Sequence, residues 1–188
     1  MTHPTLVLGS SQKDEAVDWD RAAARNVDVV RRRSGGSAVL VEADSAVWVD
    51  LTIPTGDPLW DHDVGRAFHW LGAAWAGVLA AGGLPARWYG GPMRRGPWSD
   101  RVCFAGLGPG EVTVDGRKVV GLSQRRTREA VLFQCCALRR WEPGRLVDLL
   151  ALDDNDRARA AADLIDVAAG AGPEIDLAGG IATMLSTP

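Results

Sequence analysis

The sequence predicts an α+β fold in which a mixed, largely antiparallel sheet packs against helices. Short β-like runs come in neighbouring pairs, one long helix lies between them, and the part after Pro143 has the pattern of short helices. Strands grouped in this way are typical of α+β proteins rather than of doubly wound parallel sheets. With 188 residues, the chain has the length of one ordinary domain, and we expect residues 1–188 to form a single domain.

The first half of the chain contains most of the predicted strands and one long helix. Apolar residues recur at three- and four-residue spacing from Val64 to Leu79, acidic residues suit the first turn, and Gly82-Gly83 suits the end. The predicted elements are a strand at 5–8, a helix at 14–26, strands at 27–30, 38–41 and 46–53, and a helix from 61–63 to 82.

The second half is predicted to hold a hairpin, a further strand and the C-terminal helices. Asp115-Gly116 lies between two β-like runs, 111–114 and 118–121, and is a strong signal for a tight hairpin turn. The predicted elements are strands at 86–89, 111–114, 118–121 and 130–138, and helices at 144–150, 156–169 and 176–185 within the C-terminal segment 144–188.

Composition narrows the classes of function. The chain has 21 basic and 24 acidic residues, a net charge of −3, so we expect no nucleic-acid partner. Three cysteines, two of them adjacent, indicate reduced thiols in a cytoplasmic protein, and the sparse histidines predict no bound metal. The uncharged stretch 67–86 contains five Gly or Pro residues, so we interpret it as a buried helix and a turn and expect no membrane span.

The loop Arg31-Arg32-Arg33-Ser34-Gly35-Gly36-Ser37 is the first candidate site. Consecutive small residues expose backbone N–H groups, and arginines add charged donors, so the loop could bind a carboxylate or a phosphate. A solvated run of arginines is the commoner meaning of such a pattern, and nucleic-acid binding through it is a weaker alternative. Gly106-Leu107-Gly108-Pro109-Gly110 has neither P-loop nor dinucleotide-binding spacing.

Lys118 and Cys103 are the candidate catalytic residues. Of the 21 basic residues only Lys13 and Lys118 are lysines, so Lys118 stands out, although a lysine at a hairpin edge is usually a solvated charge. Cys103 is either a small buried apolar residue or a nucleophile, and the second role requires a nearby cation.

Three motifs, taken together, resemble those of one family. Arg31 to Val39 is similar to Arg-Arg-x-Ser-Gly-Gly-Gly-Ala-Val, and Gly116 to Arg126 is similar to Gly-Arg-Lys-Ile-x-Gly-Ser-Ala-Gln-x-Arg. The run 132–138 occupies the place of a Leu-x-His-Gly-x-Leu strand. Over roughly residues 25–150, the sequence therefore resembles the lipoate–protein ligase and octanoyltransferase family. It lacks the Gly-Arg-Gly-Arg-x-Gly-Arg loop of biotin ligases, which disfavours biotin.

The resemblance implies a fold, an activity and partners. The fold would be that of biotin ligases and class II synthetase-like catalytic domains, with an apolar tunnel for the acyl chain. The activity would be transfer of octanoate or lipoate to one lysine of a lipoyl-domain protein, such as a 2-oxoacid dehydrogenase E2 subunit or the glycine cleavage H protein. Lys118 would contact the acyl carbonyl. The resemblance implies these substrate-binding residues: Arg32, Ser34, Gly35, Gly36, Ser37, Ala38, Gly121, Ser123 and Gln124.

Two chemical routes remain open. Ligases of the family activate the free acid with ATP and Mg²⁺, whereas one transferase branch uses a cysteine thioester, and an acyl carrier protein could be the donor. The stretch Cys103-Phe104 to Glu111 keeps the Cys-Phe and the Glu of that branch at the same spacing, so Cys103 would be its nucleophile. Ser37 and Cys135-Cys136 replace the usual Gly and His-Gly. The alternative is therefore a family member that binds an acyl group or acyl-protein without transferring it.

Overall fold

Two β-sheets organise the protein. The computed structural model describes residues 3–186, and within them the strand order is β2-β1-β3 in one sheet and β4-β8-β7-β6-β5 in the other. The strands are β1 (Thr5–Leu8), β2 (Asp28–Arg31), β3 (Val39–Val41), β4 (Ala46–Pro54), β5 (Ala86–Trp88), β6 (Val112–Val114), β7 (Arg117–Arg126) and β8 (Ala130–Leu138). The helices are α1 (Trp19–Ala24), α2 (His69–Ala81), α3 (Pro143–Val147), α4 (Asp154–Asp163) and α5 (Leu177–Ser186).

The smaller sheet has β1 at its centre, and all four residues of β1 are buried. β3 pairs with β1 in antiparallel fashion, but β2 runs parallel to it. A parallel pair requires a crossover connection, and α1 lies in that connection. Apolar residues of α3 and α4 complete the core on this side, including Leu146 and Ala160.

The larger sheet is antiparallel throughout, with β8 between β4 and β7. α2 and α5 pack on one face of it, around Trp75, Phe133 and Leu177, all fully buried. Burial of each such side chain stabilises the fold by about 1.5–3 kcal/mol. These residues form the main apolar core of the described chain.

A bulge in the hairpin between β6 and β7 changes the direction of the side chains that follow the turn. Asp115 and Gly116 both have positive φ, 50° and 78°, as a tight hairpin turn of the Asp-Gly type requires. The pairing then jumps from Thr113 opposite Lys118 to Val112 opposite Val120, so β7 carries one extra residue. The alternation of inward and outward side chains is broken there, and residues 118–120 are all buried.

The α+β prediction is confirmed, and the sheets are antiparallel except for β1 and β2. The predicted helix start at 61–63 is wrong, because a single 3₁₀ turn occupies Arg66–Phe68 and α2 begins only at His69. The reason is local. The carboxylate of Asp61 accepts the N–H of Asp63, and that of Asp63 accepts the N–H groups of Gly65 and Arg66, each at 2.8 Å. Such side-chain bonds compete with helical ones.

Three other predicted helices are shorter in the structure, and one of them is α3, which ends at Val147 instead of 150. The segment 14–26 forms a 3₁₀ turn at Asp14–Ala16 and then α1, and α4 ends at Asp163 instead of 169. Residues beyond α4 extend along β7, where Val167 accepts the N–H of Lys118 and Ala169 donates to its carbonyl. Pairing with the β7 edge therefore replaces the last helical turns. None of the helices within residues 3–186 has the length and apolar character that a membrane crossing would require.

Candidate active site

The loop from Arg31 to Ser37, which we call the Arg/Gly loop, connects two strands of the small sheet. A cavity of about 350 Å³ opens where this loop meets β7 of the large sheet. We call it the acyl cavity, after the acyl tunnel that the family resemblance leads us to expect. Apolar side chains cover much of its wall, among them Val64, Phe68, Met93 and Leu122. Of the eleven site residues predicted from the sequence, seven line it: Gly35, Gly36, Ser37, Cys103, Lys118, Ser123 and Gln124.

The Arg/Gly loop is held in shape by Arg32, which is only 6% exposed. Its Nε and Nη2 atoms donate to the carbonyl oxygen of Gly35 at 3.1 and 2.8 Å. Gly36 has φ = 98°, and a Cβ there would stand 2.5 Å from Arg32 Nη2. The interpretation of the loop as a solvated arginine run is therefore wrong for Arg32, while Arg33 is exposed.

The same loop is joined to the segment that carries Cys103. The N–H of Cys103 donates to the carbonyl of Ala38 at 2.9 Å, and the N–H of Ala38 donates to the carbonyl of Arg101 at 3.1 Å. The hydroxyl of Ser37 also donates to the carbonyl of Ser99. Ala38 was expected to offer its N–H to a substrate; in the structure that N–H is already bonded, so Ala38 positions Cys103 instead.

Cys103 begins a 3₁₀ turn, Cys103–Ala105, and its half-buried thiol faces the acyl cavity. Arg32 Nη2 lies 3.8 Å from its Sγ atom. Burial raises the pKa of the Cys135 and Cys136 thiols to about 12, and neither of them lines the cavity. Among the three cysteines, Cys103 is therefore the one that lines the cavity.

Lys118 is 3% exposed, so its interpretation as a solvated hairpin charge is wrong. Its Nζ atom lies 2.7 Å from Glu111 Oε2 and donates to the carbonyls of Cys103 and Gly106 at 2.9 and 3.0 Å. An ammonium has three N–H donors, and these three oxygens use them all. In this arrangement Lys118 fixes the main chain of Cys103, and contact with an acyl carbonyl would require exchange of one of these bonds.

Glu111 was noted in the sequence only for its spacing from Cys103 and was not predicted as a site residue. Its carboxylate also accepts the N–H of Gly108 at 2.7 Å and the N–H of Leu122 at 3.1 Å. It therefore joins the glycine loop, Lys118 and β7 at a position that is 5% exposed. An acidic residue directly before a buried strand, in a chain with an isolated lysine nearby, was the available signal.

Ser34 lies behind the cavity and not in it. Its hydroxyl, 1% exposed, is 2.8 Å from the hydroxyl of Ser123 and donates to Gln134 Oε1 at 2.8 Å. The amide nitrogen of Gln134 in turn donates to Asp50 at 3.1 Å. This buried network fixes the loop on β7 and β8, with Ser123 as its member at the cavity wall.

Gly121 and Gln124 also have structural contacts. A Cβ on Gly121 would lie 3.3 Å from Lys118 Cε and 3.4 Å from the ring of Phe104, so the close approach that glycine allows is to these side chains. The amide nitrogen of Gln124 donates to the carbonyl of Val64 at 2.7 Å, and its amide oxygen accepts from Arg126 at 2.8 Å. Residues 3–186 contain no group of three or more His, Cys, Asp or Glu side chains placed to hold a metal ion.

The fold is similar to solved structures of lipoate protein ligases. One is a bi-partite lipoate protein ligase from Thermoplasma acidophilum, with a TM-score of 0.76, 19% identity, and coverage of 98% of this chain and 67% of that chain. Another is lipoate-protein ligase A bound with ATP, with a TM-score of 0.68, 20% identity, and coverage of 98% and 68%. At 19–20% identity, the similarity shows a shared fold. It confirms the predicted fold class.

Curated relatives carry the name octanoyltransferase LipM. The protein from Clostridioides difficile (strain 630) is 28% identical over 135 residues, 69% of this chain and 47% of the relative. The one from Carboxydothermus hydrogenoformans is 30% identical over 167 residues, 85% of this chain and 60% of the relative. The chain thus spans about half the length of the curated relatives it matches. Residues 1–168 match the lipoyl protein ligase A/B catalytic domain, and the chain belongs to that family.

Proposed function

We propose that this protein transfers an octanoyl or lipoyl group to a lysine of a lipoyl-domain protein, through a thioester on Cys103. The observation that carries the proposal is the position of the Cys103 thiol, at the wall of a largely apolar cavity and 3.8 Å from the Arg32 guanidinium. The guanidinium places a charged N–H donor beside the sulfur that would attack the acyl carbonyl. The curated relatives are named octanoyltransferases, which supports transfer of an octanoyl group.

The reaction would proceed in two balanced steps. The sulfur of Cys103 attacks the carbonyl carbon of an acyl thioester, the carbon–sulfur bond of the donor breaks, and the donor thiol leaves with the proton of the Cys103 thiol. The lysine amine of the acceptor then attacks the Cys103 thioester, forms the amide and returns a proton to the cysteine. Val64, Phe68 and Leu122 would hold the acyl chain.

The residues around Cys103 would act mainly by positioning it. Lys118, paired with Glu111, donates to the main-chain carbonyls of Cys103 and Gly106. The carbonyl of Ala38 accepts the N–H of Cys103. A nucleophile held in a fixed place needs less reorganisation to reach its carbonyl. On this route we propose an acyl carrier protein as donor, no requirement for ATP, and an E2 subunit or a glycine cleavage H protein as acceptor.

One observation favours a second function, binding of an acyl group or acyl-protein without transfer. All three N–H donors of Lys118 are engaged by the protein itself, so none is free for the charge that develops during acyl transfer. A chain with this role would bind the acyl donor but leave a lipoyl domain unmodified.

The test is an acylation assay read by the mass of a lipoyl domain. The protein is incubated with the lipoyl domain and either octanoyl-acyl carrier protein or octanoate, with and without ATP, alongside the variants Cys103→Ser and Cys135→Ala. We expect ATP-independent acylation that is lost in Cys103→Ser and kept in Cys135→Ala, once both variants are shown to be folded. Acylation that needs octanoate and ATP and survives Cys103→Ser would establish a ligase instead. Binding without acylation would establish the second function.

A further inference from the structure

A second cavity, of about 490 Å³, adjoins the acyl cavity. We call it the polar cavity. One side is formed by the segment after β1, with Gln12, Lys13 and Glu15, and the other by Asp100 and Arg101. It shares four lining residues with the acyl cavity: Gly36, Ser37, Arg95 and Ser99.

The two cavities adjoin at Gly36, which lines both of them. A Cβ on Gly36 would stand 3.7 Å from Cys103 Sγ, so this shared residue of the two cavities lies beside the thiol. Two of the shared lining residues, Ser37 and Ser99, are buried, and the Ser37 hydroxyl donates a hydrogen bond to the Ser99 carbonyl. This part of the cavity wall is therefore fixed. Gln12 links the two walls through its amide nitrogen, which donates to the Arg101 carbonyl at 3.3 Å.

The charged groups of the polar cavity leave a surplus of one positive charge. Three are basic and two are acidic, namely Lys13, Arg95, Arg101, Glu15 and Asp100. Arg95 and Asp100 form an exposed ion pair at 3.5 Å. Among residues 3–186, the side chains of Lys13 and Arg101 make no hydrogen bond or ion pair, and Glu15 is the remaining acid. The cavity can therefore accept one negative group.

We infer that the polar cavity binds the phosphopantetheine arm of the acyl donor, with Lys13 and Arg101 at its phosphate. The inference rests on the proposed function. A thioester attacked by Cys103 has two parts, an apolar acyl chain and a polar thiol arm, which must lie on opposite sides of the carbonyl. The acyl cavity suits the first and the polar cavity the second, in volume and in charge.

The surplus charge favours an arm attached to a carrier protein. Such an arm is joined to its carrier protein through a phosphodiester with one negative charge. In coenzyme A, a diphosphate takes the place of this phosphodiester, and the nucleoside carries a further phosphate. The released product is the free thiol of the arm, which takes the proton that Cys103 gives up when its thioester forms. The thiol then lies in the polar cavity, away from the acyl group.

Direct binding tests the inference without any transfer. In the Cys103→Ser protein, 4′-phosphopantetheine and pantetheine are titrated by calorimetry. We expect phosphopantetheine to bind at least about tenfold more tightly, because charged hydrogen bonds hold its phosphate. The difference should vanish in Lys13→Ala/Arg101→Ala and persist in Arg128→Ala, which removes an exposed arginine from the β7–β8 turn outside the cavity. Equal affinities, no binding, or a preference that survives the double variant would overturn the inference.

Donor kinetics separate the source of the arm. With Cys103 present, the rate of acyl-enzyme formation is compared for octanoyl-carrier protein, octanoyl-coenzyme A and octanoyl-pantetheine. The double variant should lower kcat/KM for the carrier donor about tenfold or more and leave octanoyl-pantetheine unchanged. An equal loss for all three donors, or coenzyme A as the preferred donor, would contradict the assignment. If binding depends on the phosphate but no donor forms an acyl-enzyme, the polar cavity keeps its assignment as a phosphopantetheine site and the proposed function is refuted.

Discussion

Gly36 combines two constraints at the site, a positive φ of 98° and the proximity of Arg32 Nη2. Gly36→Ala is expected to cost about 1–2 kcal/mol of stability for the left-handed backbone. It should also displace the Arg32 guanidinium from Cys103 and slow acyl-enzyme formation by roughly a hundredfold, as small misplacements at a reacting atom do. Intact-protein mass spectrometry over time measures that rate.

Gly35 is the matched control, because a Cβ there would meet no atom within 4 Å and its φ is not in the left-handed region. Gly35→Ala should keep most of the rate. Similar losses in the two variants would mean that loop flexibility, and not the placement of Arg32, matters.

The ion pair between Lys118 and Glu111 is the second prediction at the scale of residues. Glu111→Gln keeps the size of the side chain but leaves a buried ammonium without its counter-charge, and we expect the free energy of unfolding to fall by about 3 kcal/mol. Urea denaturation measures this, with the exposed Glu129→Gln as control. A loss below about 1 kcal/mol would show that the pair contributes little.

Thiol reactivity gives a third prediction. Cys103 faces a cavity, whereas Cys135 and Cys136 are 0% and 5% exposed. In the folded protein at mild alkaline pH, iodoacetamide should modify Cys103 alone, and all three cysteines should react in denaturant. Peptide mapping identifies the modified residues, and labelling of β8 in the folded state would contradict the burial described above.

The sequence predicts the role of a residue well when its contacts are made by neighbours in the chain, and poorly when they are made by distant segments. The left-handed glycine and the arginine donors of the loop could be expected from residue types that stand next to each other. The burial of Lys118 could not, because it results from a bulge opposite Thr113 and from a carboxylate seven residues earlier in the chain. The site roles drawn from the family resemblance remain predictions for each residue.

At the scale of elements, the two thiols of β8 make the stability of the fold depend on pH. Burial raises the pKa of its two thiols from 9.0 to about 12 in the folded protein. Their contribution to stability is fully present below pH 9 and is lost as pH rises from 9 towards 12, since the unfolded chain ionises first. Over that range, each thiol lowers the free energy of unfolding by up to about 1.4 kcal/mol per pH unit.

Urea unfolding at pH 8 and pH 10.5 measures this loss. We expect the free energy of unfolding to decrease by about 2 kcal/mol for each thiol over that interval, and Cys135→Ala should remove its share. A Cys135→Ala protein with the same alkaline loss as the unsubstituted chain would show that this thiol is not the group responsible.

Strands were easier to predict than helix ends. Runs of β-forming residues placed β4 and β8 within a residue or so of their observed bounds, whereas β7 extends five residues beyond its predicted end. The start of α2 was missed because Asp61 and Asp63 bond to their own backbone, and the end of α4 because residues 167–169 pair with β7. The parallel pairing of β1 and β2 depends on a crossover through α1, which local patterns do not specify.

At the scale of the whole molecule, the candidate active site depends on contact between the two sheets. The Arg/Gly loop links β2 and β3 of the small sheet, while Lys118 and Ser123 lie on β7 of the large sheet. A third apolar cluster, with Val7, Val39, Phe104 and Leu138, joins them beside Cys103. Changes in this cluster should therefore alter activity as well as stability; that residues 1–188 fold as a single domain remains a prediction.

The most direct test of the account is to locate the acyl group on the protein itself. The chain is incubated with octanoyl-acyl carrier protein without ATP, digested and analysed by mass spectrometry. The account predicts an octanoyl adduct on the peptide with Cys103, released by hydroxylamine and lost from the protein when a lipoyl domain is added. Acylation of the lipoyl domain with no adduct on Cys103 at any time would contradict it.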